Sequence, residues 1–420
     1  MTMDVYETLR REALALIDDR GIDPTRDPEQ TRELLRRTID EYQRRAHLGE
    51  VRRLADPAAT LERLARSVMG RGPLIELLED PRIEEIFVEG DRITYIEAGG
   101  ALRSADVPTT EEENRQAIQR LVSETDRRLD ASSPIAQARI LGGTARLTAV
   151  IPPVADRLSV TIRKYALRRQ TLGELVALGS LTREAAAFLE AAIRASASVI
   201  VSGPPGAGKT SFLSALMAAV PPDHCIRCCE EVRELHVPLV HGSYYEARPP
   251  AIGGGGEITL RDLVKVTLAM RPDLIVVGEV RGAEAFELTR AANAGCGMAC
   301  TIHANSAADA LDALVNAALM AGENVPERVV RKVFASSIDL VVHLDRATDQ
   351  SGARILRETM EIRALVPSLH EDFSTEPIFA RDRIGAPMAW TGVLPPEPLM
   401  RRLEPHVTGG LSRLLEGGGM

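Results

Sequence analysis

In Ser198-Val199-Ile200-Val201-Ser202-Gly203-Pro204-Pro205-Gly206-Ala207-Gly208-Lys209-Thr210-Ser211-Phe212 an apolar strand pattern runs into a glycine-rich loop and then into a helical run. Residues 203–210 fit G-x-x-x-x-G-K-[ST] at every fixed position, with the strand Ser198–Ser202 before and the helix Phe212–Val220 after, as that motif requires. Glycines let backbone N–H groups turn towards phosphate oxygens, and the helix N-terminus adds a favourable dipole. The motif therefore points to a bound nucleoside triphosphate, held by Gly203, Pro204, Pro205, Gly206, Ala207, Gly208, Lys209, Thr210 and Ser211. Lys209 would reach the β- and γ-phosphates, and the Thr210 hydroxyl would ligate Mg²⁺.

Such a loop needs an acid to order the metal and polarise water. Leu274-Ile275-Val276-Val277-Gly278-Glu279 reads as a buried strand ending in a carboxylate, at the sheet edge where ligands bind in α/β folds. Glu279 is the candidate general base or Mg²⁺ ligand, directly or through water, against the plainer reading of an acid capping the next helix. Ile226-Arg227-Cys228-Cys229 runs into Glu230 and Glu231. Adjacent acids at a strand exit point in different directions, so one of the two faces the metal. Glu231 is preferred and Glu230 comes next, with two surface charges as the plain alternative. His303, in Thr301-Ile302-His303-Ala304-Asn305 at another strand end, could hydrogen-bond the γ-phosphate and report its loss. Four arginines are candidates for the positive charge that triphosphate hydrolases often draw from outside the loop domain: Arg248, Arg261, Arg146 and Arg163. Each taken alone is more readily a surface residue than a finger.

Outward from this core, the strand runs Ser198–Ser202, Ile226–Cys229, Leu274–Val277, Met298–Thr301 and Asp339–Leu344, separated by helical stretches, predict a mostly parallel sheet within 179–366. Residues 166–178, with Arg168-Arg169, read as a linker. Residues 73–165 read as a small α+β domain: strands Glu84–Val88 and Ile93–Glu97 flank the turn Gly90-Asp91, and Thr110 with Glu113 forms a capping box. In Leu158–Arg163 the apolar positions Leu158, Val160 and Ile162 alternate with outward Ser159, Thr161 and Arg163. Residues 1–72 read as a helical extension, and 367–420, rich in Pro, Gly and Arg, as a partly irregular tail.

Composition narrows the function. The 420 residues carry 51 basic and 60 acidic side chains, a formal charge of −9, which argues against nucleic acid as the partner of the whole surface. Aromatic residues, at 3%, are too few to stack along a single strand. No apolar run approaches the ~20 residues of a membrane span and no signal-peptide block is visible, so a cytoplasmic location is expected. The five cysteines (Cys225, Cys228, Cys229, Cys296, Cys300) invite zinc. However, Cys-x-x-Cys-Cys along one strand cannot converge on a tetrahedral ion, and buried thiols account for them.

Beyond the loop, Arg248-Pro249-Pro250, Gly256–Lys265, Arg271-Pro272-Asp273 through Gly282, and Thr301–Asn305 strongly resemble the ATPases of type II and type IV secretion systems, and among them the Tad (Flp) pilus assembly ATPases. Gly72-Pro73-Leu74, Ser132-Ser133-Pro134, Ile151-Pro152-Pro153 and Ser159–Lys164 extend the resemblance over roughly 70–345. The resemblance implies a RecA-like P-loop ATPase domain behind a smaller N-terminal α+β domain. It also implies a homo-hexameric ring at the inner face of the membrane, ATP and Mg²⁺ as ligands, and an inner-membrane platform protein as partner. Glu230-Glu231 fall on the family's Asp box, Gly278-Glu279 on its Walker B and His303 on its His box, and Arg146 and Arg163 fall where the N-terminal domain reaches the nucleotide. The chain departs in having Glu231 where Asp is usual, Ala269 where relatives carry an arginine, and Gly295-Cys296-Gly297 in place of a longer His-containing segment. A conjugative type IV ATPase, a nucleic-acid translocase and a non-hydrolysing scaffold are the alternative readings.

Overall fold

The computed structural model describes residues 2–417 apart from 25, 70–71, 99, 106–107, 126, 165–170, 236–239, 249, 251–254, 349–354 and 367–372. The chain divides into two compact units, Met1–Ala166 and Leu167–Met420. No helix among the described residues is long and apolar enough to cross a membrane.

The first unit begins with helices Thr2–Asp19, Pro28–His47 and Pro57–Met69. Along Pro28–His47 the buried residues Thr31, Leu34, Leu35, Thr38, Ile39, Tyr42 and Ala46 recur every three or four positions, the stripe an amphipathic helix turns inward. Leu34, Leu35, Ile39 and Tyr42 pack with Leu9, Ala13 and Leu64 into a small core. A six-stranded sheet follows, made of β1 (Ile83–Glu89), β2 (Arg92–Glu97), β3 (Leu102–Ser104), β4 (Ile135–Ile140), β5 (Ala145–Val150) and β6 (Ser159–Lys164), in the order β3-β2-β1-β6-β5-β4. Each neighbouring pair is antiparallel. Leu158, Val160 and Ile162 are buried and Thr161 and Arg163 exposed, the alternation that the sequence displays. Thr110 and Glu113 form the reciprocal capping box at helix Glu111–Ser123. The helical extension is not a separate body. Arg63 pairs with Glu113 at 2.8 Å, the Tyr6 hydroxyl donates to Glu113, and Arg10 Nε donates to Ser67 at 2.9 Å and reaches Gln116 through Nη2.

The second unit is a nine-stranded sheet between helices. Its strands are β7 (Val199–Gly203), β8 (Ile226–Glu230), β9 (Gly242–Glu246), β10 (Leu274–Val280), β11 (Gly297–His303), β12 (Leu340–Thr348), β13 (Ile355–Val366), β14 (Ser374–Ala380) and β15 (Ala389–Trp390). They run in the order β15-β14-β13-β12-β7-β11-β10-β8-β9. From β12 to β9 every pairing is parallel, whereas β12 to β15 is antiparallel. All five strands expected from apolar runs are present. With helices on both faces, β7, β10 and β11 are buried almost throughout, which is why they read as continuous apolar runs.

Two boundaries differ from the expectation. Positions 166–170 of the expected linker lie outside the described residues, and the rest contains helix Leu172–Ala177, whose Leu172 and Leu175 join the main core. The expected irregular tail supplies β14, β15 and helices Glu397–Leu403 and Leu411–Leu415, with Phe379, Leu399, Leu403, Leu411 and Leu415 in that same core. Pro, Gly and Arg are frequent there because hairpins and short helices need many turns, not because packing is lost. The chain's end, 418–420, lies outside the described residues.

Candidate nucleotide-binding site

The loop 203–208 leaves the C-terminal end of β7 and enters helix Lys209–Met217 through Gly208, whose φ of 91° is a left-handed conformation that glycine adopts without strain. Gly203, at φ 152°, passes close beneath β12: a Cβ there would lie 2.4 Å from the Leu344 carbonyl oxygen. Glycine is the residue that fits. The Thr210 hydroxyl stands in the first turn of the helix.

Lys209 is buried. Its ammonium donates to the carbonyls of Gly203 (3.0 Å) and Pro204 (3.1 Å) and meets His303 Nδ1 at 3.0 Å. The strand register explains this last contact, because β11 pairs with β7 so that His303 is directly opposite Gly203. The other ring nitrogen of His303, Nε2, contacts the Glu279 carboxylate. A single neutral tautomer satisfies both sides: Nδ1 accepts from the lysine and Nε2–H donates to the acid. Burial, helped by the Lys209 charge, pulls the His303 pKa below its ordinary value against the pull of Glu279, so the neutral ring is the form present at pH 7. Glu279 also receives Arg281 Nε at 2.7 Å. Its position in the strand is irregular. Between Val277 and Val280 the register with β11 shifts, the two residues Gly278 and Glu279 of β10 standing opposite the single residue Thr301. Such a bulge re-aims the side chains within it. The Thr301 hydroxyl donates to Gly278 O at 2.6 Å and fixes the bulge from the next strand.

The two acids at the end of β8 are placed in the reverse of the preferred order. Glu230 turns inward and is 2% exposed, whereas Glu231 is exposed at a bend. The reason is local: the backbone N–H groups of Glu234 and Leu235 both donate to Glu230 Oε1 at 3.0 Å, and Gly278 leaves the room. A Cβ on Gly278 would lie 2.7 Å from Glu230 Cγ. Burial pushes the Glu230 pKa up to about 7.

The arginines divide by place. Arg261 bonds Glu287 (3.0 Å) and Glu323 (2.7 Å) and lies over the Phe286 ring, an ion-pair network that ties helix Leu260–Leu268 to its neighbours and includes no residue of the phosphate loop. Arg248 donates to Gly256 O at 2.7 Å within an isolated bridge to Ile258; Pro249 and Gly253 beside it lie outside the described residues. Arg146 and Arg163 are directly opposite one another on β5 and β6 of the first unit, with Arg163 3.7 Å from Glu85. The cysteines separate across the sheet: Cys228 joins the core on one face, Cys229 and Cys300 the core on the other. Burial pushes Cys229 and Cys296 up to about 11 and Cys300 up to about 12, so these thiols stay protonated.

Two residues that the sequence reading passed over also meet the loop. Arg346 on β12 and Arg357 on β13 face the Gly206 backbone, and Arg357 Nε donates to Gly206 O at 3.0 Å. Only the pairing of β12 with β13 puts them there, and no local pattern reveals it.

Comparison with known proteins agrees with this arrangement. The family model described as "Type II/IV secretion system protein" matches residues 68–376. The chain belongs to that family. A putative conjugal transfer protein from Mycobacterium tuberculosis is 34% identical over 313 residues, 73% of this chain and 88% of its own. The type IV secretion system protein VirB11 of Brucella suis is 28% identical over 331 residues, 71% of this chain and 91% of its own. Among solved structures, the pilus retraction motor PilT with bound ADP superposes with a TM-score of 0.51 at 19% identity over 70% of this chain and 82% of its own, which shows a shared fold. The α/β fold, RecA-like in its second unit and preceded in sequence by an N-terminal domain, is thus shared with that structure.

Proposed function

We propose that this chain is the hexameric ATPase of a Tad/Flp-type pilus or secretion machine, hydrolysing MgATP to drive mechanical work at the inner face of the membrane. The observation that carries the reading is the continuous linkage Lys209–His303–Glu279, which joins the phosphate loop to the acid at a neighbouring strand end. In this reading residues 203–211 cradle the triphosphate and Lys209 neutralises the β- and γ-phosphates. The Thr210 hydroxyl and the Glu279 carboxylate, hard oxygen donors, suit Mg²⁺, which when bound supplies charge neutralisation at the phosphates. Glu279 orients the attacking water as general base. Glu230, rather than Glu231, is the second acid beside it, because it is the one turned towards the Gly278–Glu279 bulge. His303 exchanges its lysine contact for the γ-phosphate and passes that change to Glu279. Arg146, Arg163 and Arg248 remain candidates for charge supplied across domains or subunits, whereas Arg261 is committed to its own ion pairs. An inner-membrane platform protein would receive the motion.

The likeness to a conjugal transfer protein and to VirB11 favours a second reading, the ATPase of a conjugative type IV system with the same chemistry. Purified protein assayed for Mg²⁺-dependent ATP hydrolysis, with light scattering alongside, tests what the two readings share. Lys209→Ala and Glu279→Gln should each lower turnover by 10² or more, as loss of a charge-stabilising or base residue does. Turnover unchanged in both would sink the mechanism. Deleting the gene and scoring surface pili against DNA transfer separates the machines.

A further inference from the structure

From the β12–β13 hairpin we infer that Arg346 binds the phosphates of the nucleotide within the same subunit, and that Arg357 positions the loop beneath it; the inference rests on the nucleotide-binding reading above. The two residues are direct partners across the antiparallel pair β12–β13. Like charges directly opposite one another destabilise a sheet, so this pair carries a cost that an anion shared by both would remove. Their side chains converge on one peptide. Arg357 Nε donates to Gly206 O at 3.0 Å, while the N–H of the same peptide plane, that of Ala207, donates to Pro204 O at 3.2 Å. The plane is held from both sides, so Arg357 sets the loop's mid-point. Arg346 occupies the space that Gly206 leaves, its Nη1 end nearest the loop: a Cβ there would be 2.8 Å from its Nη1 and 3.4 Å from its Cζ.

What distinguishes Arg346 is that its guanidinium has no hydrogen bond or ion pair among the described residues; only its backbone N–H is used, donating to Asp345 Oδ1 at 2.7 Å. The acid on the opposing strand, Glu358, is committed to Arg381. A fork of N–H donors on an exposed arginine, set against a loop that carries the phosphate-binding sequence motif, is suited to bidentate contact with phosphate oxygens. Lys209 and Arg346 would then approach the same polyphosphate from the helix and from the hairpin.

The test is titration calorimetry on the full chain with MgATP and, separately, inorganic tripolyphosphate, using wild type, Arg346→Ala, Arg346→Lys and Lys209→Ala, with melting temperatures measured in parallel. Loss of a hydrogen-bonded charge contact predicts that Arg346→Ala binds both ligands about tenfold or more weakly, with a ligand-free melting temperature no lower than that of wild type, and with Arg346→Lys in between. If Lys209→Ala loses binding while Arg346→Ala binds as wild type, the inference is overturned and the nucleotide site stands. Weakened MgATP binding with tripolyphosphate unaffected also overturns it, by placing the arginine at the base or sugar. Wild type that binds neither ligand overturns both readings. For Arg357, a positioning role predicts that Arg357→Ala raises KM with kcat largely retained and that Arg357→Lys, which can still reach Gly206 O, recovers much of the loss. A fall in kcat alone contradicts it.

Discussion

Glu230 holds a carboxyl where water does not reach, and its titration gives that placement a measurable consequence. Burial raises its pKa from 4.5 to about 7, although two backbone N–H groups pull in the opposite direction. Between these values the folded protein keeps a proton that the unfolded chain releases, so stability falls as pH rises through that window and the full penalty is present above pH 7. Glu230→Gln retains the acceptor oxygen facing Glu234 and Leu235 and removes the charge. In EDTA-containing buffer it should stabilise the protein by about 3 kcal/mol at pH 8 and by almost nothing near pH 4.5, the energy of a shift of about two and a half pKa units. Urea unfolding at the two pH values reads this directly, and an equal effect at both would show that no buried ionisation exists. The same residue shows where reading the sequence stops. That two acids at a strand exit diverge follows from strand geometry alone. Which of them turns inward depends on the amides of residues 234 and 235 and on the space above Gly278, and neither is written into Glu230-Glu231.

At the scale of elements, legibility follows burial. Strands covered on both faces carry unbroken apolar runs, and β7, β8, β10, β11 and β12 were recognisable from them. The capping boxes at Thr110 and Thr259 are equally local, with partners three residues away. The hairpin β12–β13 is different. Its outer half, Asp345–Thr348 against Ile355–Glu358, is partly exposed and charged, and only its pairing carries Arg346 and Arg357 to the phosphate loop. The contact of β7 with β12 supplies the prediction at this scale. Gly203 sits 2.4 Å, measured from a would-be Cβ, beneath the Leu344 carbonyl, with φ in a range that side chains rarely adopt. Gly203→Ala must therefore push the two strands apart or bend the loop. The expected cost is about 2–3 kcal/mol in chemical denaturation, from overpacking and backbone strain together, with nucleotide binding weakened as the loop moves. A variant with wild-type stability and affinity would mean that the strand ends are not packed this tightly.

For the whole molecule, the residues after 366 decide what counts as the ATPase domain. Pro, Gly and Arg made this segment look like a tail, since composition reports turns and cannot report what the short strands between them pair with. The structure ties it down at several points. Phe379 packs on Phe188 with ring centroids 5.8 Å apart, and buried Arg381 donates to Thr359 O at 2.8 Å and to Gly179 O and Ser180 O at 3.1 Å. Arg402 reaches Asp339, at the entry to β12, at 2.8 Å, and also the carbonyls of Ala195 and Ser196 just before β7. Helix Leu411–Leu415 then packs on helix Arg183–Arg194, with Leu403, Leu411 and Leu415 at most 2% exposed. A disordered appendage could be cut away at no cost, but this segment closes one face of the sheet that presents the phosphate loop. Leu403→Ala should cost about 2–5 kcal/mol, the range for emptying a buried leucine site, and a chain ending at Val366 should lose the cooperative unfolding transition of the second unit together with nucleotide binding. Calorimetric melting of both variants, with MgATP titrated into each, measures the two effects. A truncated chain that melts as sharply as wild type and still binds MgATP would show that the core is complete without β14 and the helices after it.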